Sequence, residues 1–237
     1  MNLQNSTCVV TGATEGIGRA IALSLGSRGA RLAVCARSAG TVEALVDELR
    51  ARGVTAVGRP CDVASEPAVA GFAKLVKAEF GPPDVLVNNA GLAHFVSVEK
   101  MTPAQFDETM GVNVRGVFLM TRAFLPEMRQ RGSGHIINIA SLAGRNPVPG
   151  GAAYAASKHA VLGFSKSLFG EVRQDGIRVV AICPGSVVTP FFDKSGAGLQ
   201  HAERKLQPED VADAVVATLE LPDRALISEL DIRPTNP

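Results

Sequence analysis

The sequence predicts an α/β fold: a doubly wound, mostly parallel, seven-stranded sheet with helices on both faces, in a single domain. Three observations lead to this prediction. Short β-rich runs alternate with stretches of helical spacing, which is typical of βαβ units with right-handed crossovers. Six of the runs are almost continuously apolar, as expected for parallel strands that are covered on both faces. The chain has no internal repeat or low-complexity linker, and its 237 residues suit one large domain.

The predicted elements follow one another in a regular order. Strands are predicted over residues 7–10, 31–36, 55–61, 85–88, 135–140 and 178–182, with a seventh near 225–233. Helical spacing predicts helices over about 17–28, 39–52, 66–80, 103–131 and 152–175. In the seventh strand Leu230 and Ile232 alternate with charged neighbours, and this pattern indicates a half-exposed edge strand.

The first strand leads into a glycine-rich segment that opens the first helix. Gly12, Gly16 and Gly18 follow the spacing GxxxGxG. Glycine permits positive φ and close approach of the backbone to a ligand. The helix N-terminus offers free N–H groups and the positive end of its dipole to a pyrophosphate. The segment therefore predicts a dinucleotide-binding loop, and a glycine-rich turn without a ligand is the alternative.

The end of the second strand indicates which dinucleotide is bound. An acidic residue about twenty positions beyond the glycines would bind the ribose hydroxyl of NAD, and the sequence has none there. Arg37 stands nearby instead, and its guanidinium suits a 2′-phosphate. Glu15, inside the glycine loop, would repel that phosphate, and Arg37 could also be a solvated surface residue. We expect NADP(H) to be preferred, with NAD(H) possible.

Three polar residues after the predicted fifth strand suggest acid–base chemistry. Ser141 ends the apolar run, while Tyr154 and Lys158 lie four positions apart and so share one face of a helix. An ammonium group beneath a phenol favours the phenolate, which would lower the tyrosine pKa from about 10 toward neutrality. Such a tyrosine can give or take a proton at neutral pH. A Tyr and a Lys at this spacing are also common on helices that have no catalytic role.

The composition argues against several other classes of protein. The net charge of +1, with no basic run, offers no electrostatic basis for binding nucleic acid or an acidic membrane. The four cysteines form neither a CxxC pair nor a metal-ligand cluster, so we expect buried thiols in a reducing compartment. The N-terminus lacks the regions of a signal peptide, and no apolar stretch is long enough to span a membrane. A cytoplasmic protein is expected.

These motifs together resemble the short-chain dehydrogenase/reductase family in its compact single-domain form, strongly over residues 5–190. The resemblance rests on the glycine motif at 11–18, Asp62, the sequence Asn88-Asn89-Ala90-Gly91, Asn113, Ser141, Tyr154, Lys158, Pro184-Gly185 and Thr189. It implies a Rossmann-like fold and hydride transfer between a nicotinamide and a carbonyl or secondary alcohol. One alternative is a non-catalytic NADP-binding sensor. The other is a specific enzyme activity, that of a 3-oxoacyl-carrier-protein reductase.

The resemblance also implies a role for each catalytic residue. Tyr154 would be the general acid–base, and Lys158 would tune its pKa and hold the nicotinamide ribose. Ser141 would orient and polarise the reacting oxygen. Asn113 would hold a water that connects Lys158 to solvent, or would bond to backbone and bend its helix, and the two roles can coexist.

The remaining predicted site residues contact the cofactor or the substrate. The cofactor set is Gly12, Thr14, Glu15, Gly16, Ile17, Gly18, Arg37, Asp62, Val63, Asn89, Ala90, Gly91, Tyr154, Lys158, Pro184, Gly185, Val187 and Thr189. The substrate set is His94, Leu142, Arg145, Val148, Phe191 and Phe192. The polar segment 190–207 is a candidate lid over the substrate, or else an ordinary surface connection.

The resemblance and the helix composition together predict an oligomer. Helices 103–131 and 152–175 carry apolar residues on more than one face and so need a second partner. In the family these two helices pair with those of a neighbouring subunit, which implies a homodimer or homotetramer. The C-terminus lacks the Gly-Gly-containing strand of many bacterial 3-oxoacyl-carrier-protein reductases. It looks more like that of reductases acting on small carbonyls or hydroxy amino acids.

Overall fold

The computed structural model describes residues 1–196 and 201–236 and contains a seven-stranded sheet in which every pair of neighbouring strands is parallel. The strands run in the order β3-β2-β1-β4-β5-β6-β7. They are β1 (Thr7–Thr11), β2 (Arg31–Ala36), β3 (Ala56–Pro60), β4 (Val85–Asn88), β5 (Gly134–Ile139), β6 (Ile177–Pro184) and β7 (Glu229–Ile232). The predicted fold class is confirmed, and β7 lies at the sheet edge and is half-buried, as its alternating pattern predicted.

Helices cover both faces of the sheet. They are α1 (Gly16–Ser27), α2 (Ala39–Ala51), α3 (Glu66–Phe80), α4 (Pro103–Met110), α5 (Gly116–Arg131), α6 (Ala152–Val172), α7 (Phe191–Ser195) and α8 (Pro208–Leu219). Successive strand residues point to opposite faces, so Val9 and Val10 of β1 enter different cores. One core packs α1, α2 and α8 against the sheet, and the other packs α3, α5 and α6.

The helix predicted over 103–131 is interrupted. A five-residue π-helix, Gly111–Arg115, separates α4 from α5, and the buried Asn113 lies at its centre. The Asn113 amide binds the backbone of Leu92, outside the helix. The hydrogen bonds to Leu92 thus hold Asn113 where the π-helix adds one residue to the helical turn. Such π-bulges are frequent at functional sites. The helix predicted over 152–175 also ends earlier, at Val172, and continues as a 3₁₀ turn.

Helix α8 was not among the predicted elements. Pro208 occupies its first turn, and the backbone N–H of Gln207 donates to Asp210 at 2.7 Å, which caps the helix start. Val211, Val215 and Leu219 lie on one face and are buried in the same core as α1. The signal was present as apolar spacing of four, but the helix is short and follows an aperiodic polar segment.

The described part of the predicted lid segment contains helical turns. It contains α7 and a 3₁₀ turn at Ala202–Arg204, while residues 197–200 lie outside the described part of the chain. Val187 forms a parallel bridge with Leu206, which ties the end of the segment to the stretch of chain directly after β6. In the two described ranges, no helix combines the length and apolarity needed to cross a membrane.

Candidate active site

A cavity of about 670 Å³ opens where the strand order reverses between β1 and β4, at the carboxyl ends of the strands. Ligands of doubly wound sheets bind at such a switch point. All eighteen residues of the predicted cofactor set line this cavity. The fold thus brings together residues from the first fifth of the chain and residues near position 189.

The glycine loop lies tightly against the residues after β4 and β6. Gly12 and Gly16 have φ values of 61° and 51°, in the left-handed region that favours glycine. A Cβ at Gly12 would lie 2.8 Å from the Ala90 Cα, and one at Gly16 would lie 2.9 Å from the Thr189 Cγ2. The loop therefore has no room for side chains at these positions, and its backbone faces the cavity at the N-terminus of α1.

Asn89 holds the glycine loop in shape. Its Nδ2 donates to the carbonyl oxygens of Thr11 at 2.9 Å and Gly12 at 3.1 Å. The Thr11 hydroxyl in turn accepts from the backbone N–H groups of Asn89 and Ala90, both at 3.0 Å. Thr11 was not a predicted site residue, although a polar residue ending a buried strand just before the glycines is a usable signal. Asn89 thus supports the cofactor side of the cavity through the backbone.

Two charged groups at the entrance to the glycine loop are paired in the structure. The Lys194 Nζ of α7 lies 2.6 Å from both carboxylate oxygens of Glu15, so the charge that was expected to repel a 2′-phosphate is compensated. Arg37 is well exposed, and its Nη1 lies 3.5 Å from Glu108. An exposed ion pair of this length is weak, so Arg37 remains available to a stronger anion.

Ser141 and Tyr154 meet at one wall of the cavity. Ser141 follows β5 and accepts a hydrogen bond from the Ala143 N–H at 3.1 Å, which fixes its side chain at the start of a 3₁₀ turn. Burial raises the pKa of Tyr154, and a hydrogen bond with the Ser141 hydroxyl lowers it by a smaller amount. The net effect is a raised pKa, so the phenol is protonated at neutral pH.

Lys158 lies beneath the Tyr154 ring but does not bring the phenol pKa down. Its Nζ is 5.7 Å from the ring centroid and donates to the Ile139 carbonyl at 2.9 Å. Burial lowers the pKa of Lys158 to about 8, so the ammonium is still mostly charged at pH 7 and loses its charge just above neutral pH. We expected Lys158 to lower the pKa of Tyr154. In the structure, the largest effect on that pKa is burial, which raises it.

Asn113 connects the π-helix to α6. Its Oδ1 accepts from the Leu92 N–H at 2.9 Å, and its Nδ2 donates to the Leu92 carbonyl and the Ser157 Oγ, both at 2.9 Å. The Ser157 hydroxyl donates onward to the Tyr154 carbonyl at 2.7 Å. The backbone-binding role considered for Asn113 is present, while its role in holding a water stays a prediction.

Gly91 lies between Asn113 and Lys158. A Cβ at Gly91 would be 3.3 Å from the Asn113 Oδ1 and 3.6 Å from the Lys158 Nζ. A side chain at this position would therefore occupy the space between these two groups.

Aromatic rings form an apolar wall beside Tyr154. Its ring centroid lies 5.8 Å from that of Phe95 and 5.6 Å from that of Phe191, and Phe191 contacts Phe192 edge-on at 5.7 Å. Leu142, Val148, Phe191 and Phe192 of the predicted substrate set line the cavity, and so does Phe95, which was not predicted.

Two predicted substrate residues, His94 and Arg145, are not part of the cavity lining. The His94 Nε2 lies 2.8 Å from Glu108 on α4. Arg145 binds Glu229 and, through its Nε, Asp231 at 3.0 Å, so it attaches the turn after Ser141 to β7. Their sequence positions are close to the site, but carboxylates outside the cavity hold both side chains.

The chain belongs to the short-chain dehydrogenase family: the family model described as short chain dehydrogenase matches residues 6–200. The protein is accordingly an oxidoreductase of the class that interconverts CH–OH and C=O groups with a nicotinamide dinucleotide.

Particular relatives agree with this assignment. A Streptomyces coelicolor protein whose name assigns it provisionally as a ketoacyl reductase is 43% identical over 189 residues, which cover 79% of this chain and 72% of that protein. A metagenomic short-chain oxidoreductase solved in complex with NADP is 41% identical over 100% of both chains, with a TM-score of 0.87. An actinorhodin polyketide ketoreductase variant solved with NADPH is 35% identical, covers 97% of this chain and 96% of its own, and has a TM-score of 0.90.

Proposed function

We propose that this protein is an NADP(H)-dependent reductase of carbonyl compounds, or the reverse alcohol dehydrogenase, with Tyr154 as the general acid–base. The observation that carries the proposal is the meeting of Ser141, Tyr154 and Lys158 on one wall of the cavity that the glycine loop also lines. A donor of protons thus lies beside a loop built for a dinucleotide.

The cavity residues fit the dinucleotide. The side-chain-free backbone at Gly12 and Gly16 and the N-terminus of α1 suit the pyrophosphate. Lys158 would hold the nicotinamide ribose, and Arg37 would bind the 2′-phosphate. The Glu15–Lys194 pair reduces the repulsion that Glu15 would exert on that phosphate. NADPH, when bound, supplies the hydride.

The protein residues supply orientation and a proton. The Ser141 hydroxyl would donate to the carbonyl oxygen and so polarise it, while the Tyr154 phenol would give its proton to the same oxygen as negative charge develops there. Since burial raises the Tyr154 pKa, the phenol carries that proton at neutral pH, which favours the reductive direction. Lys158, with its pKa lowered to about 8, would then return a proton toward Tyr154.

The decisive experiment separates binding from turnover. Wild-type protein and Tyr154→Phe are compared for NADPH oxidation with a panel of carbonyl compounds and for NADPH affinity by fluorescence. We expect the variant to lose turnover while its NADPH affinity changes little, because the phenol ring remains and only the hydroxyl is removed. Turnover that survives in Tyr154→Phe would contradict the assignment of the acid.

A 3-oxoacyl-carrier-protein reductase is the second candidate for the specific activity. The ketoacyl reductase name of the Streptomyces coelicolor relative favours it. The polar, half-exposed β7 without a Gly-Gly pair argues for small carbonyl substrates instead. The non-catalytic sensor is less well supported, because the chain retains all four predicted catalytic residues.

We also propose that the protein forms a homodimer or homotetramer through α5 and α6. Phe118 on α5 is 45% exposed and so offers apolar surface to a partner. Arg122 stacks over its ring at 6.0 Å, so the two residues form a mixed apolar and cationic patch. Sedimentation of the purified protein, compared with Phe118→Glu, tests this assembly.

A further inference from the structure

The charges around the cavity are unevenly distributed. Only two carboxylates are present among the described lining residues, Glu15 and Asp62, and both belong to the predicted cofactor half. Arg37, Lys158 and Lys194 are cations of the same half. Two more cations, Lys205 and Arg233, also line the cavity and have no function in the proposed cofactor site.

Lys205 and Arg233 each lie next to a residue that is hydrogen-bonded to the short segment 185–186 after β6. Arg233 follows β7, where the Gly185 N–H donates to the Ile232 carbonyl at 2.8 Å. Lys205 precedes Leu206, whose N–H donates to the Ser186 carbonyl at 3.1 Å. Backbone hydrogen bonds therefore hold the chain next to both residues against residues 185–186, and both residues line the cavity.

Residues 185–186 lie beside the wall of the cavity that contains Ser141 and Tyr154. A Cβ at Gly185 would lie 3.4 Å from the Leu142 Cδ1 and 3.3 Å from the Pro234 Cδ. Leu142 immediately follows Ser141, and Pro234 immediately follows Arg233. The two cations thus line the part of the cavity where residues 185–186 meet Leu142, a member of the predicted substrate set.

The positive charge in this region is not fully compensated. The Arg233 Nη2 lies 3.3 Å from Asp231, but Asp231 is also bound by the Nε of Arg145 at 3.0 Å. Glu229 is shared in the same way between Arg145 and Lys166. No carboxylate of residues 1–196 or 201–236 lies within ion-pair distance of Lys205. Lys205 and Arg233 therefore add positive charge to this part of the cavity that the described carboxylates neutralise only in part.

We propose that Lys205 and Arg233 form an anion subsite, which binds a carboxylate or phosphate of the substrate while Ser141 and Tyr154 hold its carbonyl. This inference rests on the proposed reductase function and specifies its substrate class, an anionic oxo compound. A guanidinium presents two parallel donors to a carboxylate or phosphate, and the ammonium adds a flexible point charge. The aromatic wall of Phe95 and Phe191 would contact the apolar part of the same molecule.

The test compares matched substrates that differ only in charge. The free acids of several oxo acids, with different spacings between carbonyl and carboxylate, are compared with their methyl esters in kcat/KM. A 3-oxoacyl coenzyme A is compared in the same way with the N-acetylcysteamine thioester of the same acyl group, since this arm distinguishes a phosphate from a carboxylate. We expect at least one anionic substrate to exceed its neutral partner by about tenfold or more.

Variants assign the effect to the two cations. Arg233→Met and Lys205→Met should each reduce kcat/KM for the preferred anion by about tenfold and leave that for its neutral partner nearly unchanged. Lys74→Met, which removes an exposed lysine of α3, serves as the matched control and should change neither. The affinity for NADPH should be the same in all variants.

Each other outcome overturns the inference in a recognisable way. Equal turnover of anionic and neutral substrates, or an anion preference that persists in both variants, would exclude the subsite while leaving the reductase function intact. Weakened NADPH binding in the variants would show that the cations serve the cofactor. If no carbonyl compound is reduced by the wild-type protein, the reductase function itself fails.

Discussion

Burial of the Lys158 ammonium lowers the stability of the folded protein. Lys158 is only 5% exposed and donates one hydrogen bond, to the Ile139 carbonyl at 2.9 Å. An ammonium group has three donors, and removal from water disfavours its charged form. Replacing it with methionine, an apolar chain of similar length, should therefore stabilise the fold at neutral pH while it abolishes turnover.

The size of this effect follows from the pKa of Lys158. Burial lowers that pKa from 10.5 to about 8, which corresponds to about 3 kcal/mol at roughly 1.4 kcal/mol for each tenfold change in the ionisation constant. Loss of the hydrogen bond to Ile139 costs about 1 kcal/mol. Lys158→Met should thus be about 2 kcal/mol more stable at pH 7, which for a domain of this size raises Tm by roughly 4–8 °C.

The pH dependence distinguishes this cause from general improvement in packing. Because the folded-state pKa is lower than the unfolded one, the unfolded chain binds more protons between pH 8 and 10.5, and wild-type stability rises with pH across that window. The advantage of Lys158→Met should therefore shrink over the same window. Above pH 10.5 both states of the wild-type lysine are neutral, and the variant should be no more stable than wild type.

Thermal unfolding of the cofactor-free proteins between pH 7 and 10.5 measures the effect. Lys74→Met, at an exposed position on α3, is the control and should shift the stability by less than about 0.5 kcal/mol. A Lys158→Met protein that is less stable than wild type at pH 7 would refute the reasoning. An advantage that is independent of pH would refute it as well, since it could not come from the buried charge.

Three further predictions each concern a single position. Gly91→Ala should lower kcat by about tenfold, because its methyl group would fill the space next to the Lys158 Nζ. Ser157→Ala should cost about 1–3 kcal/mol of stability and lower kcat more than it changes KM for NADPH, because a buried donor of Asn113 loses its acceptor. Burial lowers the pKa of His135 to about 4, so wild-type stability should fall by up to about 3 kcal/mol as the pH drops from 6.5 to 4, and His135→Asn should remove most of that fall.

The predictions for Gly91 and Ser157 each have a matched control variant. Gly163→Ala introduces a methyl group on α6 where no atom lies within 4 Å, and it should leave kcat unchanged. Ser157→Thr keeps the hydroxyl group and should recover part of the activity that Ser157→Ala loses. For His135, denaturant unfolding at a series of pH values is the measurement. Equal acid sensitivity of the wild type and the His135 variant would rule out this histidine as the cause.

The fold could be predicted from the sequence because it depends on local patterns along the chain. Alternation of apolar runs with helical spacing, together with glycines between a strand and a helix, predicts the βαβ order that the seven parallel strands adopt. Helix α8 was not predicted because its stability comes from packing on α1, which begins 192 residues earlier in the chain. The π-helix was not predicted for a similar reason, since the Asn113 amide is held by Leu92 from a different element.

The sequence by itself determined the family, the glycine loop and the candidate catalytic set, because these depend on residue types at fixed spacings along the chain. The tertiary structure decided the burial, the pKa values and the charge partners of those residues. Burial sets the pKa of Tyr154 above its ordinary value, and distant pairings compensate Glu15 with Lys194 and carry Arg145 away from the cavity. Burial and electrostatic pairing depend on which groups meet across the folded chain, and no spacing within a motif contains that information.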